Sequence, residues 1–217
     1  TDAPVGDDPV LKLGRYRWNW LKRGYDTFHA NDYTHFFGLV ETLNVADSAT
    51  YTRQIQDAIN LEGFVGVLAA NQFIGNWDTY GYDRGKNMYL YDGAKGWQLI
   101  SWDLDQNFII GGRTLTQPIN PSLASFATHD STLRTFVKHP IVTRIFWRAV
   151  EKLLAAANDS ALRSLTRAKF NALQADSASL PGSYDAFLAA VDTRRTNVVA
   201  QLAAAQAASF SMVSPSA

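Results

Sequence analysis

Residues 76–108 read NWDTYGYDRGKNMYLYDGAKGWQLISWDLDQNF, and the expected architecture follows from this segment. Two short runs, 87–91 and 97–100, are rich in the aromatic and aliphatic residues that favour β-strands. The connection between them is Asp92-Gly93-Ala94-Lys95-Gly96, and an Asp-Gly pair between such runs is a strong signal for a hairpin turn. The segment therefore predicts an antiparallel β-hairpin.

Acidic and amide side chains flank this predicted hairpin on both sides. Asp78 and Asn87 precede the first strand, whereas Asp103 and Asp105 follow the second. Because the two strands of a hairpin are antiparallel, we expect both groups to lie at the same end of it. Carboxylate and amide oxygens are ligands that a hard cation such as Mg²⁺ prefers. The pattern predicts a divalent metal site, and such a metal points to a phosphate substrate.

Helices are predicted on both sides of the hairpin. Apolar residues recur at helical spacing in 50–59 and 61–74, and Asn60 is suited to cap the second of these helices, which leads to Asp78. Further helices are predicted at 131–138, 141–156 with Pro140 in its first turn, 160–173 and 184–207. The irregular segment 111–121 either borders a substrate cleft or is a plain connection.

The residues around the hairpin resemble the CotH family of spore-coat kinases, which are atypical relatives of the protein kinases. The resemblance rests on GNWD at 75–78, NMYLY at 87–91 and WDLD at 102–105, which occur in the family's order. The helical pattern from about 33 to 202 extends it over most of the chain. It implies an α+β fold, namely a helix-dominated, atypical protein-kinase-like C-terminal lobe in which a small β-hairpin carries the active-site acids.

The resemblance also implies roles for individual residues. Asp78 stands where the catalytic-loop aspartate of kinases orients or deprotonates the acceptor hydroxyl. Asp103 and Asn87 are expected to bind the Mg²⁺ or Mn²⁺ that bridges the phosphates of ATP, and Asp105 is either a further ligand or a residue that stabilises the turn. Trp97 is expected either to stack on the adenine ring or to be a core residue.

The loop between Asp78 and Asn87 separates them by nine residues, which is longer than in ordinary kinases. Asp83 lies inside this loop and is an alternative catalytic or metal-binding residue. Any single aspartate of the set is also suited to an ordinary turn or cap, where its carboxylate binds nearby backbone amides. The ordered match of three separate blocks favours a nucleotide or metal site over that interpretation.

The function implied by the resemblance is that of an ATP-dependent protein kinase, which transfers the γ-phosphoryl group to Ser or Thr of a protein partner. Two alternatives stay open. One is a catalytically inactive CotH-like structural module of a coat, cell surface or secreted assembly, for which an upstream phosphate-binding Lys or Arg would be missing. The other is a Ca²⁺- or carbohydrate-binding surface domain, because the same acids suit calcium, which takes six to eight oxygens.

The 217 residues are expected to form one portion of such a kinase domain, 1–217, with the N-terminal lobe largely upstream and a frayed tail at 210–217. Cationic and aromatic residues alternate near the start of the chain. They are expected either to bind phosphate or to form a surface segment that is packed by its aromatic rings. This basic-aromatic cluster consists of Lys12, Arg15, Tyr16, Arg17, Trp18, Trp20, Lys22, Arg23 and Tyr25.

Composition excludes several other classes of protein. The 20 Lys and Arg residues balance 20 Asp and Glu residues, so there is no electrostatic case for a nucleic-acid partner. No apolar run is long enough to span a bilayer, and the absence of cysteine excludes disulfides and thiol catalysis. P-loop, G-x-G-x-x-G and HExxH motifs are also missing from the sequence.

An extracellular, cell-surface or coat-associated location is implied by the resemblance alone.

Overall fold

The computed structural model describes residues 32–81, 87–105, 107–108, 115–119, 131–176 and 182–211 of the chain. Seven helices and one two-stranded sheet lie in these ranges, so the fold is α+β and dominated by helices, as predicted. The helices are α1 Thr34–Leu43, α2 Ser48–Ala58, α3 Leu61–Ile74, α4 Ser131–Lys138, α5 Pro140–Ala157, α6 Ser160–Ala175 and α7 Tyr184–Ser211. The strands are β1 Met88–Gly93 and β2 Gly96–Ser101.

The chain divides into two compact units, Thr1–Glu41 and Thr42–Ala217. In the first unit, Asp32 accepts a hydrogen bond from the Thr34 backbone N–H at 3.0 Å, which satisfies one free donor at the start of α1. Tyr33 and Leu39 are buried. The basic-aromatic cluster at 12–25 lies outside the described residues.

Helix α3 is the centre of the second unit, where it packs against α5, α7 and β2. The side chains that it buries lie on most of its faces, which is typical of a helix inside a core rather than on a surface. They are Leu61, Phe64, Val65, Leu68, Ala69, Asn71, Gln72 and Phe73. The Asn60 side chain accepts a hydrogen bond from the Gly63 N–H at 3.2 Å, so the predicted N-cap is confirmed.

Helix α5 covers α3 and also contacts α4, α6 and α7. It begins at Pro140, whose fixed φ suits the first turn of a helix, as predicted. Its buried residues Val142, Ile145, Phe146 and Val150 recur every three to four positions, which places them on one face. Burial of each such side chain stabilises the fold by about 1.5–3 kcal/mol. Both α3 and α5 bury several of them where the two helices meet, so this contact is the main core of the unit.

The hairpin pairs β1 with β2 in the antiparallel register Met88↔Ser101 to Gly93↔Gly96. The hairpin prediction is confirmed, but the turn lies later than the Asp-Gly pair indicates, because Asp92 is paired with Trp97 and the turn residues are Ala94 and Lys95. Gly96 supplies the left-handed backbone that the turn requires, with a φ of 89°. A Cβ at Gly96 would lie 2.6 Å from the Ala58 carbonyl oxygen, so only glycine fits this close approach to α2.

The two faces of the hairpin differ in burial. Leu99 is buried on the face that packs against α3, and alternation along β2 places Trp97 and Ser101 on the same face. The opposite face exposes Tyr89, Tyr91, Ile100 and Trp102. A two-stranded antiparallel sheet with one packed face thus leaves its aromatic face open.

Four of the predicted helices, α2, α5, α6 and α7, have boundaries that differ from prediction by one to four residues. Helix α2 begins at Ser48 because Asp47 caps it, α6 continues to Ala175, and α7 continues to Ser211 rather than to 207. Such shifts are common because the ends of helices fray. Within the described residues, no helix has the length and apolar character that crossing a membrane requires.

Candidate active site

The exit from α3 determines where Asp78 lies. Gly75 ends the helix in the left-handed conformation, with a φ of 70°, and the Asn76 N–H then bonds the Asn71 carbonyl at 3.0 Å. Asn76 is fully buried and Asp78 is 9% exposed. The loop therefore holds the Asp78 carboxylate close against the core rather than free in solvent.

Asp78 and Asn87 are in direct contact. The Asn87 Nδ2 atom donates to the Asp78 backbone oxygen at 2.7 Å and to Asp78 Oδ2 at 3.2 Å. Asn87 has a φ of 56°, a left-handed conformation that asparagine tolerates better than most residues. Both of these hydrogen bonds use the amide nitrogen of Asn87, so its amide oxygen takes no part in the contact with Asp78.

Asp103 follows at the same end of the hairpin. The Trp102 N–H donates to the Asn87 carbonyl at 3.0 Å, which extends the ladder one pair beyond Met88↔Ser101. Asp103 also has a left-handed backbone, with a φ of 57°, and its side chain is exposed. Such backbone strain in a residue other than glycine is concentrated at functional sites. Asp105 is exposed in the turn that comes next.

Two amide side chains at the end of α3 hold the loop that carries Asp78. Asn71 Nδ2 donates to Thr79 Oγ1 at 3.3 Å and to Ser101 Oγ at 2.9 Å, so it joins α3, the loop and β2. Gln72 Nε2 donates to the Gly81 carbonyl at 3.0 Å. Asn71 occupies a position of α3 at which the helical spacing predicts an apolar residue. Two adjacent amides at the end of an apolar helix were the signal that could have revealed this role.

A fully buried arginine, Arg194 of α7, is a second feature that the sequence did not predict. Its guanidinium donates to four backbone carbonyls, those of Gln72, Phe73, Leu115 and Gln117. No local motif marks Arg194, because its partners are backbone atoms that lie at least 77 residues away in sequence.

Trp97 lies at the turn end of the hairpin, where its ring is half-buried on the face packed against α3. Its carbonyl accepts from the Asn60 N–H at 3.0 Å. Trp97 precedes Trp102 by five positions, so along the strand its backbone is roughly 16 Å from the end of the hairpin that leads to Asp103. Asp83, most of the 111–121 segment and its Gly111-Gly112-Arg113 start lie outside the described residues.

The side chains at this end of the hairpin carry oxygen atoms of the type that hard divalent cations prefer. Among the residues that the structure describes, no three His, Cys, Asp or Glu side chains form a group that could hold a metal. Mg²⁺ in phosphate-transferring sites is typically held by one or two carboxylates together with substrate phosphates and water. The carboxylates of Asp103 and Asp105 and the amide oxygen of Asn87 are hard donors of the kind that such an ion requires.

The family model described as "CotH kinase protein" matches residues 17–174, which is well over half of the chain. The match includes the site residues of the hairpin and of the loop after α3, whereas Arg194 lies beyond its end. None of the curated proteins compared with this chain matches it.

Proposed function

This chain belongs to the CotH kinase family, and from this premise we propose that it transfers the γ-phosphoryl group of ATP to a Ser or Thr hydroxyl of a protein partner. Membership gives a kinase-related function at the level of the family. The observation that carries the proposal is the Asp78–Asn87 pair, which the hairpin joins to Asp103. Phosphoryl transfer depends mostly on positioning and charge neutralisation, and both need fixed acidic groups.

Asp78 is proposed as the residue that orients the acceptor hydroxyl and takes its proton. Its carboxylate is largely buried and is bonded by Asn87, so it does not sample many orientations. A general base must be held within hydrogen-bonding reach of the proton that it removes, and a fixed carboxylate meets that requirement. Asp83 is kept as the alternative for this role.

Asp103 and Asn87 are proposed to hold Mg²⁺ or Mn²⁺, with Asp105 as a further ligand. When bound, the ion would neutralise charge on the ATP phosphates. Asp103 supplies an exposed carboxylate at the open end of the hairpin, and Asn87 supplies an amide oxygen that is not used in its hydrogen bonds to Asp78. The residues of this chain thus provide the ligands, while the phosphates would complete the coordination.

Trp97 is proposed as the residue that stacks on adenine. A stacked base contributes about 1–3 kcal/mol, so Trp97→Ala should weaken ATP binding by about tenfold, as measured by calorimetric titration. Trp102→Ala is the matched control, because Trp102 is exposed on the opposite face of the hairpin. A loss of affinity in Trp102→Ala alone would assign the stacking to the open face instead.

We further propose that the chain acts at a coat or at a cell surface, which is the setting implied by the spore-coat family to which it belongs. The absence of cysteine is compatible with an oxidising surface location. Immunolabelling of intact cells and of coat fractions tests this location, and signal confined to the cell interior would oppose it.

Radiolabelled ATP tests the proposed activity. We expect the chain, with Mg²⁺ or Mn²⁺, to label itself or casein, and Asp78→Asn to reduce the rate by about 10²–10⁴-fold because a general base contributes that much. Asp92→Asn is the matched control, since Asp92 lies near the turn of the same hairpin. Equal labelling by Asp78→Asn and wild type would refute the role of Asp78. No labelling by wild type with either metal would instead support an inactive structural module.

A further inference from the structure

We propose that Arg194 is a positioning residue, which holds the end of α3 that leads to Asp78 and the segment 115–117 after the acidic motif in one arrangement by hydrogen-bonding both of them to α7. The proposal rests on the proposed function of the site. Arg194 lies on α7, Tyr184–Ser211. This helix begins after residue 174, where the match to the family model ends.

One arm of the clamp is the end of α3. Arg194 Nε donates to the Phe73 carbonyl at 2.9 Å, and Nη2 donates to the Gln72 carbonyl at 2.6 Å. These carbonyls belong to the last turn of the helix, where the regular i to i+4 hydrogen bonds end; the Gln72 carbonyl also accepts from the Gly75 N–H at 3.2 Å. A cation at this end also complements the partial negative charge of the helix dipole. Arg194 therefore fixes the point from which the Asp78 loop departs.

The other arm is the segment that follows the acidic motif. Arg194 Nη1 donates to the Leu115 carbonyl at 3.0 Å and to the Gln117 carbonyl at 2.6 Å. The planar guanidinium presents five N–H donors in a fixed fork, so a single side chain can serve both arms. Lysine has three donors on one atom and cannot reproduce this spread of directions.

Two further contacts bring the segment after Asp105 to the same end of α3. The Phe108 N–H donates to the Ile74 carbonyl at 2.9 Å. The Phe108 ring packs edge-on against Phe73, with centroids 6.5 Å apart, and against Phe187 of α7, with centroids 5.7 Å apart. Phe108, three residues after Asp105, is thus attached to α3 and α7 near the backbone that Arg194 bonds.

The burial of Arg194 indicates that its hydrogen bonds to the four carbonyls are needed to keep the buried charge in place. The side chain is only 1% exposed, and burying a charge is strongly unfavourable unless it is hydrogen-bonded. A purely structural arginine would lower overall stability when replaced. A positioning residue would in addition loosen the two attached segments and slow the reaction more than the loss of stability explains.

Hydrogen–deuterium exchange separates these two roles without requiring activity. In Arg194→Lys we expect exchange in residues 75–81 and 115–119 to rise about tenfold, while α5 stays protected, because local opening is set by local contacts. The matched control is Val198→Ala, which removes a fully buried side chain from the next turn of α7 and leaves the clamp intact. Unchanged exchange in Arg194→Lys, or the same loosening in Val198→Ala, would overturn the proposal.

Kinetics provide the second readout. Arg194→Lys should lower kcat by about 10- to 100-fold with a much smaller change in KM for ATP, since small misplacements of reacting groups have effects of this size. Val198→Ala should keep the wild-type kcat. If the wild type transfers no phosphate, the proposed function fails, while the exchange experiment still decides whether Arg194 positions the two segments.

A second variant keeps the proposal testable if Arg194→Lys does not fold. The Gln201 side chain of α7 accepts a hydrogen bond from the Ile119 N–H at 2.8 Å. Gln201→Ala therefore removes a contact of the segment 115–119 but leaves the hydrogen bonds of Arg194 to α3 intact. We expect faster exchange in 115–119 and unchanged exchange in 75–81. Loosening of both segments in Gln201→Ala would assign the clamp to α7 as a whole and not to Arg194.

Discussion

Amide side chains determine the geometry of the candidate site as much as its acids do. Asn71 and Gln72 fix the loop that carries Asp78, and Asn87 bonds Asp78 itself. Each neutral hydrogen bond contributes about 1 kcal/mol, but loss of one partner leaves a buried polar group unsatisfied at a larger cost. The amides thus hold a carboxylate near the core without neutralising its charge.

Asn87→Asp tests the contact with Asp78 directly. The change keeps the shape of the side chain but places a second carboxylate where Asn87 Nδ2 lies 3.2 Å from Asp78 Oδ2. Like charges at this distance repel, so we expect the variant to lose about 1–3 kcal/mol of stability at pH 7.5 without metal. Mg²⁺ or Mn²⁺ should restore part of the loss in thermal unfolding. Asn87→Ala serves as control, since its instability should not respond to metal; equal responses of both variants would contradict the assignment.

His139 makes stability depend on pH. Its Nε2 atom is 3.0 Å from Thr52 Oγ1, which also donates to the Ser48 carbonyl, and burial lowers the pKa of His139. The folded state therefore favours neutral imidazole, whereas the unfolded state takes up a proton near pH 6.5. The contribution of His139 is present above about pH 6.5 and is lost as the pH falls from there toward the lower folded-state pKa.

Thermal unfolding at pH 7.5 and 5.5 measures this contribution. We expect the wild type to lose more stability on acidification than His139→Gln does, because glutamine cannot be protonated. His35→Gln is the control, since His35 is exposed. The same pH dependence in wild type and His139→Gln would exclude this residue as the cause.

At the scale of elements, the hairpin and α3 follow from local sequence signals. The strand composition, the Asn60 cap and the apolar spacing of 61–74 predict both, and the antiparallel pairing places Asn87 and Asp103 at one end. The position of the turn is not predictable from the Asp-Gly pair alone. It depends on the contact of Gly96 with the Ala58 carbonyl, which exists only once α2 packs against the hairpin.

Gly96→Ala tests that explanation of the turn. A Cβ at Gly96 would meet a backbone oxygen at 2.6 Å, and the φ of 89° is strained for any other residue. We expect a loss of about 2–4 kcal/mol in the free energy of unfolding, since backbone strain and overlap add. Gly66→Ala in α3 has open space and should instead be neutral or stabilise by up to about 1 kcal/mol. Equal effects of both changes in chemical denaturation would contradict the account.

At the scale of the whole molecule, the second unit is organised around α3. The helix packs on α5 for stability, on β2 for the placement of Asn87 and Asp103, and on α7 for the Arg194 clamp. The fold class and the placement of Asn87 and Asp103 at one end of the hairpin could be predicted, because they follow from periodicity and strand direction. The Arg194 contacts could not, since they join backbone atoms to a side chain that no motif marks.

Thermal unfolding with Mg²⁺ or Mn²⁺, with and without ATP, is the most direct test of the claim that the open end of the hairpin binds a metal–nucleotide complex. At 100 times its dissociation constant a ligand adds about 2.7 kcal/mol, which is a rise in Tm of roughly 5–10 °C for a chain of this size. We predict that this rise needs both metal and ATP, disappears in Asp103→Asn and persists in Asp92→Asn. A rise of the same size in Asp103→Asn, or none in the wild type, would contradict the account.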